Sequence, residues 1–193
     1  MLDNLKKYNI ILASNSPRRR ELLSGLGINY EVKVINGVDE SYLPHLRGSE
    51  IPEFISRIKA AAYRPLMGEN DLVITADTIV YANNEVLGKP KDRDEAVKML
   101  KILSGHTHQV MTGVSLTTYD FQKTFSSVSD VTFDVLSDEE INFYIDNYKP
   151  YDKAGAYGIQ EWIGFIGVSG INGSYFNVMG LPVQKLYKEL CNI

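Results

Sequence analysis

Residues 9–27 read NIILASNSPRRRELLSGLG, and this stretch decides the fold class. Asn9 to Ala13 is a short apolar run of the kind that fills a buried strand. Leu22, Leu23 and Leu26 then recur at helical spacing, with Ser16 as N-cap, Pro17 at the first helical position and Gly27 beyond the last periodic leucine. A strand that feeds a helix within a few residues is an α/β unit. Its junction also leaves free backbone N–H groups at the positive end of a helix dipole, a setting that attracts anions. Arg18, Arg19 and Arg20 add bidentate donors suited to phosphate. The alternative is a solvated helix face, although cations in a first turn oppose the dipole by about 0.3–1 kcal/mol.

Outward from this unit the punctuation stays regular. Tyr30, Val32 and Val34 alternate with Glu31 and Lys33 in a strand-like pattern. Over Ser49 to Tyr63 the residues Ile51, Phe54, Ile55, Ile58, Ala61 and Ala62 fall on one helical face, with Lys59 off it, and Pro65 disfavours helix at Arg64. Leu72 to Ala76 is a second buried-strand run that stops at Asp77-Thr78 before Ile79-Val80-Tyr81 resumes. Asn83-Asn84 suits a hairpin turn into Glu85-Val86-Leu87. A helix follows from Asp92, with Glu95 as capping partner and Ala96, Met99, Leu100 and Leu103 as its stripe. Val110 to Thr118 and Ser129 to Val135 read as strands. Ser137 and Glu140 form a capping box ahead of Ile141, Tyr144, Ile145 and Tyr148. Trp162 to Val168 and Ser174 to Val178 read as a hairpin around Asn172-Gly173, and Pro182 opens a last helix. Hairpins mixed with helical crossovers predict a mixed sheet.

With 193 residues, 44% hydrophobic and 23% charged, the chain has the composition of an ordinary globular protein, and the expectation is one domain over residues 1–193. The net charge of -4 argues against a nucleic-acid or membrane binder that works through a broad basic surface. Residues 1–20 nevertheless carry +4, against -8 for the rest, so positive charge is concentrated where the first helix begins. A single cysteine, Cys191, excludes an internal disulfide framework and a multi-cysteine zinc site. No apolar run reaches a membrane span, and no signal-like segment follows Lys6 and Lys7. A soluble, unprocessed protein of a reducing, cytoplasmic compartment is expected.

Further residues stand out for chemistry. Asp77 is a lone carboxylate at the end of an apolar run, readable as a general base or metal ligand, or as an Asx turn or cap. Asp39-Glu40 offers hard oxygen ligands, or an exposed acidic loop. Gly88-Lys89-Pro90 presents a lysine between two backbone punctuators without being a Walker loop. In Asp152 to Gln160, two glycines allow close approach of backbone to a ligand and Gln160 suits a base edge, with a structural turn as the alternative. His106 and His108 lack a third metal ligand and read as solvated or packed histidines.

Ala13-Ser14-Asn15-Ser16-Pro17-Arg18-Arg19-Arg20-Glu21-Leu22-Leu23, Ala76-Asp77-Thr78, Leu87-Gly88-Lys89-Pro90, Leu103-Ser104-Gly105 and Asp152 to Gln160, in this order, resemble the Maf family of nucleoside triphosphate pyrophosphatases. The resemblance spans nearly the whole chain. It implies an α/β fold built on an elongated mixed β-sheet flanked by helices with a central cleft, similar to the inosine triphosphate pyrophosphatases. It also implies cleavage of a nucleoside triphosphate to monophosphate and pyrophosphate with a divalent cation, Mg²⁺ or Mn²⁺. Carried over residue by residue, Asp77 becomes the proton acceptor for the attacking water, and Ser14, Arg19, Lys59 and Lys89 surround the triphosphate. Glu40 joins Asp77 as a metal ligand. Arg18, Thr78 and Gln160 match the branch that acts on dTTP and UTP, as opposed to the branch that handles 7-methyl-GTP. Glu161-Trp162-Ile163 departs from the small residues expected after the glutamine. The implied partner is a nucleoside triphosphate, with no nucleic acid or membrane, and a homodimer is compatible with the sequence. The competing reading is a nucleotide-binding regulator of cell division and septum formation with little turnover.

Overall fold

The computed structural model describes residues 2–193. After a 3₁₀ turn at Asp3–Lys7, β1 (Asn9–Leu12) leads into α1 (Pro17–Ser24), followed by the short β2 (Glu31–Val32) and α2 (Glu50–Tyr63). Next come β3 (Asp71–Ala82), β4 (Glu85–Leu87), α3 (Arg93–Leu103), β5 (Thr107–Thr117), β6 (Gln122–Phe133) and α4 (Asp138–Tyr148). The chain closes with α5 (Trp162–Gly167), β7 (Val168–Asn172), α6 (Tyr175–Met179) and α7 (Val183–Leu190).

The strands form one mixed seven-stranded sheet in the order β2-β1-β3-β5-β6-β7, with β4 on β3. β1 pairs in parallel with β2 and β3, whereas the β3–β4 and β6–β7 pairs are antiparallel. The expected mixed α/β sheet is therefore present. Asn83 and Asn84 turn the β3–β4 hairpin with φ of 52° and 63°, the left-handed pair that asparagine tolerates and that matches strand twist. Among the described residues no helix is long and apolar enough to cross a membrane.

The chain divides into two compact units. The first holds the chain up to Asp77 together with Thr112–Ser127 and Gly180–Ile193, and the second holds Thr78–Met111 and Val128–Met179. In the first unit Leu12, Leu23, Leu72, Val73 and Ile74 are buried, and Ile11, Val73 and Tyr63 pack with Ala13, Ile35, Ala62 and Met67. In the second, the α3 stripe of Ala96, Met99, Leu100 and Leu103 is buried as its spacing requires, as are Ile141, Tyr144 and Ile145 of α4. The Ser137–Glu140 capping box is complete at the start of α4.

Several expectations need correction. β3 does not stop at Asp77: it runs unbroken from Asp71 to Ala82, because backbone pairing is indifferent to a side chain whose charge is neutralised nearby. Tyr30 to Val34 yields only the two exposed residues of β2. The hairpin around Asn172-Gly173 is absent: residues 162–167 are helical, and β7 pairs with β6 instead. A short apolar run reads alike as strand or helix, and within the helix only glycine fits at position 164, since a Cβ there would lie 1.9 Å from the Ile159 carbonyl oxygen. Finally, β6 begins seven residues before Ser129, with its hydroxyl-rich start masking the strand pattern.

Candidate active site

In the first unit the turn between β1 and α1 carries the arginine cluster. Ser16 caps α1 through its hydroxyl, which accepts the Arg19 N–H at 3.4 Å. Ser14 is buried, its Oγ accepting the Ser16 N–H at 3.2 Å. Arg19 folds back over this turn, with Nη1 3.4 Å from Ser14 Oγ and Nε donating to the Gly180 carbonyl at 2.8 Å. Its guanidinium is thus a fixed group and no solvated arm. Burial pulls its pKa below the usual arginine value, while the charges of Asp77 and Glu40 oppose that pull and Arg18 adds to it. Arg19 therefore lies within electrostatic reach of both carboxylates that the sequence singles out. Arg18 is half-buried beside it, and Arg20 is exposed, its Nη2 bound to the Asn15 carbonyl.

The second group forms between α2 and β3. Lys59 Nζ sits 2.8 Å from Asp77 Oδ1 and 3.2 Å from Glu40 Oε1. The lysine and Asp77 side chains are only 16% and 13% exposed, whereas Glu40 is 52% exposed, so the inner pair is the desolvated one. Asp39 takes the Asx-turn role instead, its carboxylate accepting the Ser41 N–H at 2.9 Å, which holds its pKa below the ordinary value.

The Lys59–Asp77 pair follows from register. Thr75 Oγ1 donates to the Ser56 carbonyl at 2.8 Å, and Ser56 Oγ lies 2.9 Å from Ser115 Oγ of β5. Strand residues two apart share a face, so Thr75 fixes where Asp77 points. Helix residues three apart share a face, so Ser56 fixes where Lys59 points. The buried side of α2 is accordingly Ile51, Ile55, Ser56, Ala60 and Tyr63, turned from the expected face, and Ala61 is exposed. Gly113 permits the contact: a Cβ there would stand 2.3 Å from the Pro52 carbonyl carbon. Sequence reading missed Ser56, Thr75 and Gly113. The one available signal was a threonine two residues before Asp77 in an otherwise apolar run.

Asp77 and Glu40 are hard oxygen donors of the type a divalent cation takes, both now turned to Lys59 Nζ. Magnesium is commonly held by one or two carboxylates, with substrate phosphates and water completing the shell. Two carboxylates converging on one ammonium are such a donor set. Among the described residues no cluster of three or more His, Cys, Asp or Glu gathers.

In the second unit Thr78 is half-buried and follows Asp77 on the opposite face of β3. Lys89 is exposed in the segment after β4. The Gly155 N–H donates to the Gly88 carbonyl at 3.0 Å, which joins the Asp152–Gln160 segment to the one carrying Lys89. Gly155 has a φ of 67° and faces Val80 so closely that a Cβ would fall 2.9 Å from it. Gln160 is half-buried, and its Oε1 is fully buried without a hydrogen-bond partner among the described residues. His108 is packed, its Nε2 2.7 Å from the Tyr157 hydroxyl, and His106 lies just outside β5 with Nδ1 on the Ser104 carbonyl.

A mixed α/β sheet bearing a fixed arginine at a helix N-terminus and a lysine bridging two carboxylates defines a protein that handles phosphate groups. The chain belongs to the Maf-like family, whose model, described as Maf-like protein, matches residues 9–193. It is 64% identical over 190 residues to a dTTP/UTP pyrophosphatase of Bacteroides thetaiotaomicron, covering 98% of each chain. It is 54% identical over 192 residues to a dTTP/UTP pyrophosphatase of Porphyromonas gingivalis, covering 98% of this chain and 96% of that one. Among solved structures it is similar to a nucleoside-triphosphatase, a dITP/XTP pyrophosphatase, of Mycobacterium abscessus, with TM-score 0.42, 14% identity and coverage of 65% of this chain and 74% of that chain.

Proposed function

We propose that this chain is a nucleoside triphosphate pyrophosphatase that hydrolyses dTTP and UTP, and modified pyrimidine nucleotides of the same edge, to the monophosphate and pyrophosphate in the cytoplasm. The observation that carries this reading is the Asp77–Lys59–Glu40 arrangement, with Asp77 half-buried 2.8 Å from an ammonium. Phosphoanhydride cleavage demands positioning and charge stabilisation more than covalent help. In the reaction, a water oxygen bonds to the α-phosphorus as the α–β anhydride bond breaks and pyrophosphate departs. Asp77 takes the water's proton. Lys59, Arg19 and Lys89 balance charge on the triphosphate, and Ser14 with the α1 N-terminus contributes hydrogen-bond donors. A divalent cation held by Glu40 and Asp77 supplies, when bound, further neutralisation of the phosphate oxygens.

Base choice falls to Arg18, Thr78 and Gln160. Thymine and uracil present carbonyl acceptors and one N–H, an edge that Arg and Gln side chains satisfy. The buried, unpartnered Oε1 of Gln160 is an acceptor suited to that N–H. A site built for such bonds rejects a mismatched analogue strongly, because its own polar groups stay unpaired. The test is a pyrophosphate-release screen across nucleoside triphosphates at one pH with Mg²⁺ or Mn²⁺. dTTP and UTP are expected to lead, with dATP and 7-methyl-GTP at least about tenfold poorer in kcat/KM. Equal use of 7-methyl-GTP overturns the base assignment. Release of orthophosphate overturns the whole reading, and tight binding without turnover favours a regulatory protein.

A further inference from the structure

The segment that carries Gln160 is held by side chains that the triphosphate chemistry does not use. Lys153 is buried, with its side chain 9% exposed, and Nζ lies 2.8 Å from Asp152 Oδ1 and 3.0 Å from Glu161 Oε1. The other carboxylate oxygen of Glu161 accepts from the hydroxyl of Tyr144, which is fully buried on α4. That same phenolic oxygen accepts the Gly158 N–H at 3.0 Å. One hydroxyl therefore ties residues 158 and 161, the two positions that bracket Ile159 and Gln160. A Cβ on Gly158 would stand 2.8 Å from the Glu161 carboxyl carbon and 3.1 Å from Lys153 Cε, so the clasp closes only over glycine. Burial, and then the bond to Glu161, drive the Tyr144 pKa far upward, which keeps the phenol a donor throughout the working range. Glu161 is also the residue at which the sequence departs from the small residues its resemblance leads one to expect. Its side chain turns back into the segment instead of leaving it.

We propose that Tyr144, Glu161 and Lys153 are positioning residues for base discrimination, fixing the backbone on both sides of Gln160 so that its carboxamide meets a uracil or thymine edge in one orientation only. The proposal rests on the reading of Gln160 as a base-edge residue. An amide free to turn over satisfies cytosine as well as uracil, because the two bases exchange donor and acceptor at adjacent positions of the same edge. Set against the base edge, Gln160 Oε1 would meet a donor in uracil N3–H and an acceptor in cytosine N3. UTP and CTP have the same size, so the ratio of their kcat/KM values reports orientation and not room.

The experiment measures that ratio for wild type, Tyr144→Phe, Glu161→Gln and Gln160→Ala at one pH and one metal concentration, with melting temperatures taken in parallel. Both clasp variants are expected to lower the UTP preference at least about fivefold, mainly by raising KM for UTP, since Tyr144 and Glu161 are not among the groups that balance charge on the triphosphate. Tyr144→Phe removes the staple, and Glu161→Gln keeps shape and acceptor while removing the charge that faces Lys153. If Tyr144→Phe does not fold, Glu161→Gln gives the answer alone. An unchanged ratio in the folded clasp variants, with the ratio lost in Gln160→Ala, overturns the clasp and leaves the base-edge reading standing. A wild-type ratio near one, or an unchanged ratio in Gln160→Ala, overturns the base-edge reading and the proposal with it.

Discussion

Replacing Asp77 by Asn separates its chemical role from its place in the fold. The amide keeps the size of the side chain and still accepts from Lys59 Nζ at the 2.8 Å position, but it cannot take a proton from water. Loss of general-base help costs roughly 10² to 10⁴ in rate, equivalent to about 2.7–5.5 kcal/mol of activation free energy. The structural cost is smaller. A hydrogen bond to a charged group contributes about 1.5–3 kcal/mol, and here most of it survives. The bond itself is retained, and Glu40 at 3.2 Å still neutralises the ammonium. At about 2–4 °C per kcal/mol for a chain of this size, the melting temperature should fall by a few degrees at most. Binding of dTTP should be largely unchanged, because the loss of a negative charge near the triphosphate offsets the loss of one carboxylate ligand for the cation. Pyrophosphate release measures the first effect, and calorimetric titration with dTTP in Mg²⁺ the second. Hydrolysis within threefold of wild type would refute the reasoning and reduce Asp77 to a partner that keeps Lys59 in place.

Other substitutions probe the surrounding shell. Arg19→Ala and Lys89→Ala should each lower kcat/KM by roughly 10- to 150-fold, the equivalent of about 1.5–3 kcal/mol; a change in melting temperature with untouched kinetics would mark them as structural cations. Gly113→Ala places a methyl 2.3 Å from the α2 backbone, so overpacking of about 1–3 kcal/mol and a loss of activity through displaced Lys59 are expected together. Stability undiminished in thermal unfolding would contradict that contact. His108 is 2% exposed, and burial pulls its pKa down to about 4. The unfolded chain then binds the proton that the folded one refuses, so stability contributed by neutral His108 is present above pH about 6.5 and declines toward pH about 4, by up to about 3 kcal/mol. Chemical unfolding of wild type and His108→Gln across that window checks the sign: the variant should lose less stability on acidification.

The sequence by itself was enough for everything that local physics controls. Ser16 and Pro17 start α1 through capping and backbone preference, although the helix closes at Ser24 with Gly25 as its cap, earlier than Leu26 and Gly27 suggest; Asn83-Asn84 turns between two strands, and the Ala96–Leu103 stripe allows one buried face. The chemical residue types were legible for the same reason, since a helix N-terminus with three arginines and a carboxylate in an apolar strand stand out against their surroundings. What local physics does not fix is register between elements distant in the chain. Only the tertiary structure aligned Ser56 with Thr75, and so Lys59 with Asp77, through a close approach that Gly113 alone permits. Likewise, Glu161 looked like an irregularity until Tyr144 and Lys153 converged on it from residues 17 and 8 positions away. Residues 162–167 are likewise helix where the short apolar run left strand and helix open, and in that helix Gly164 lies against the Ile159 carbonyl.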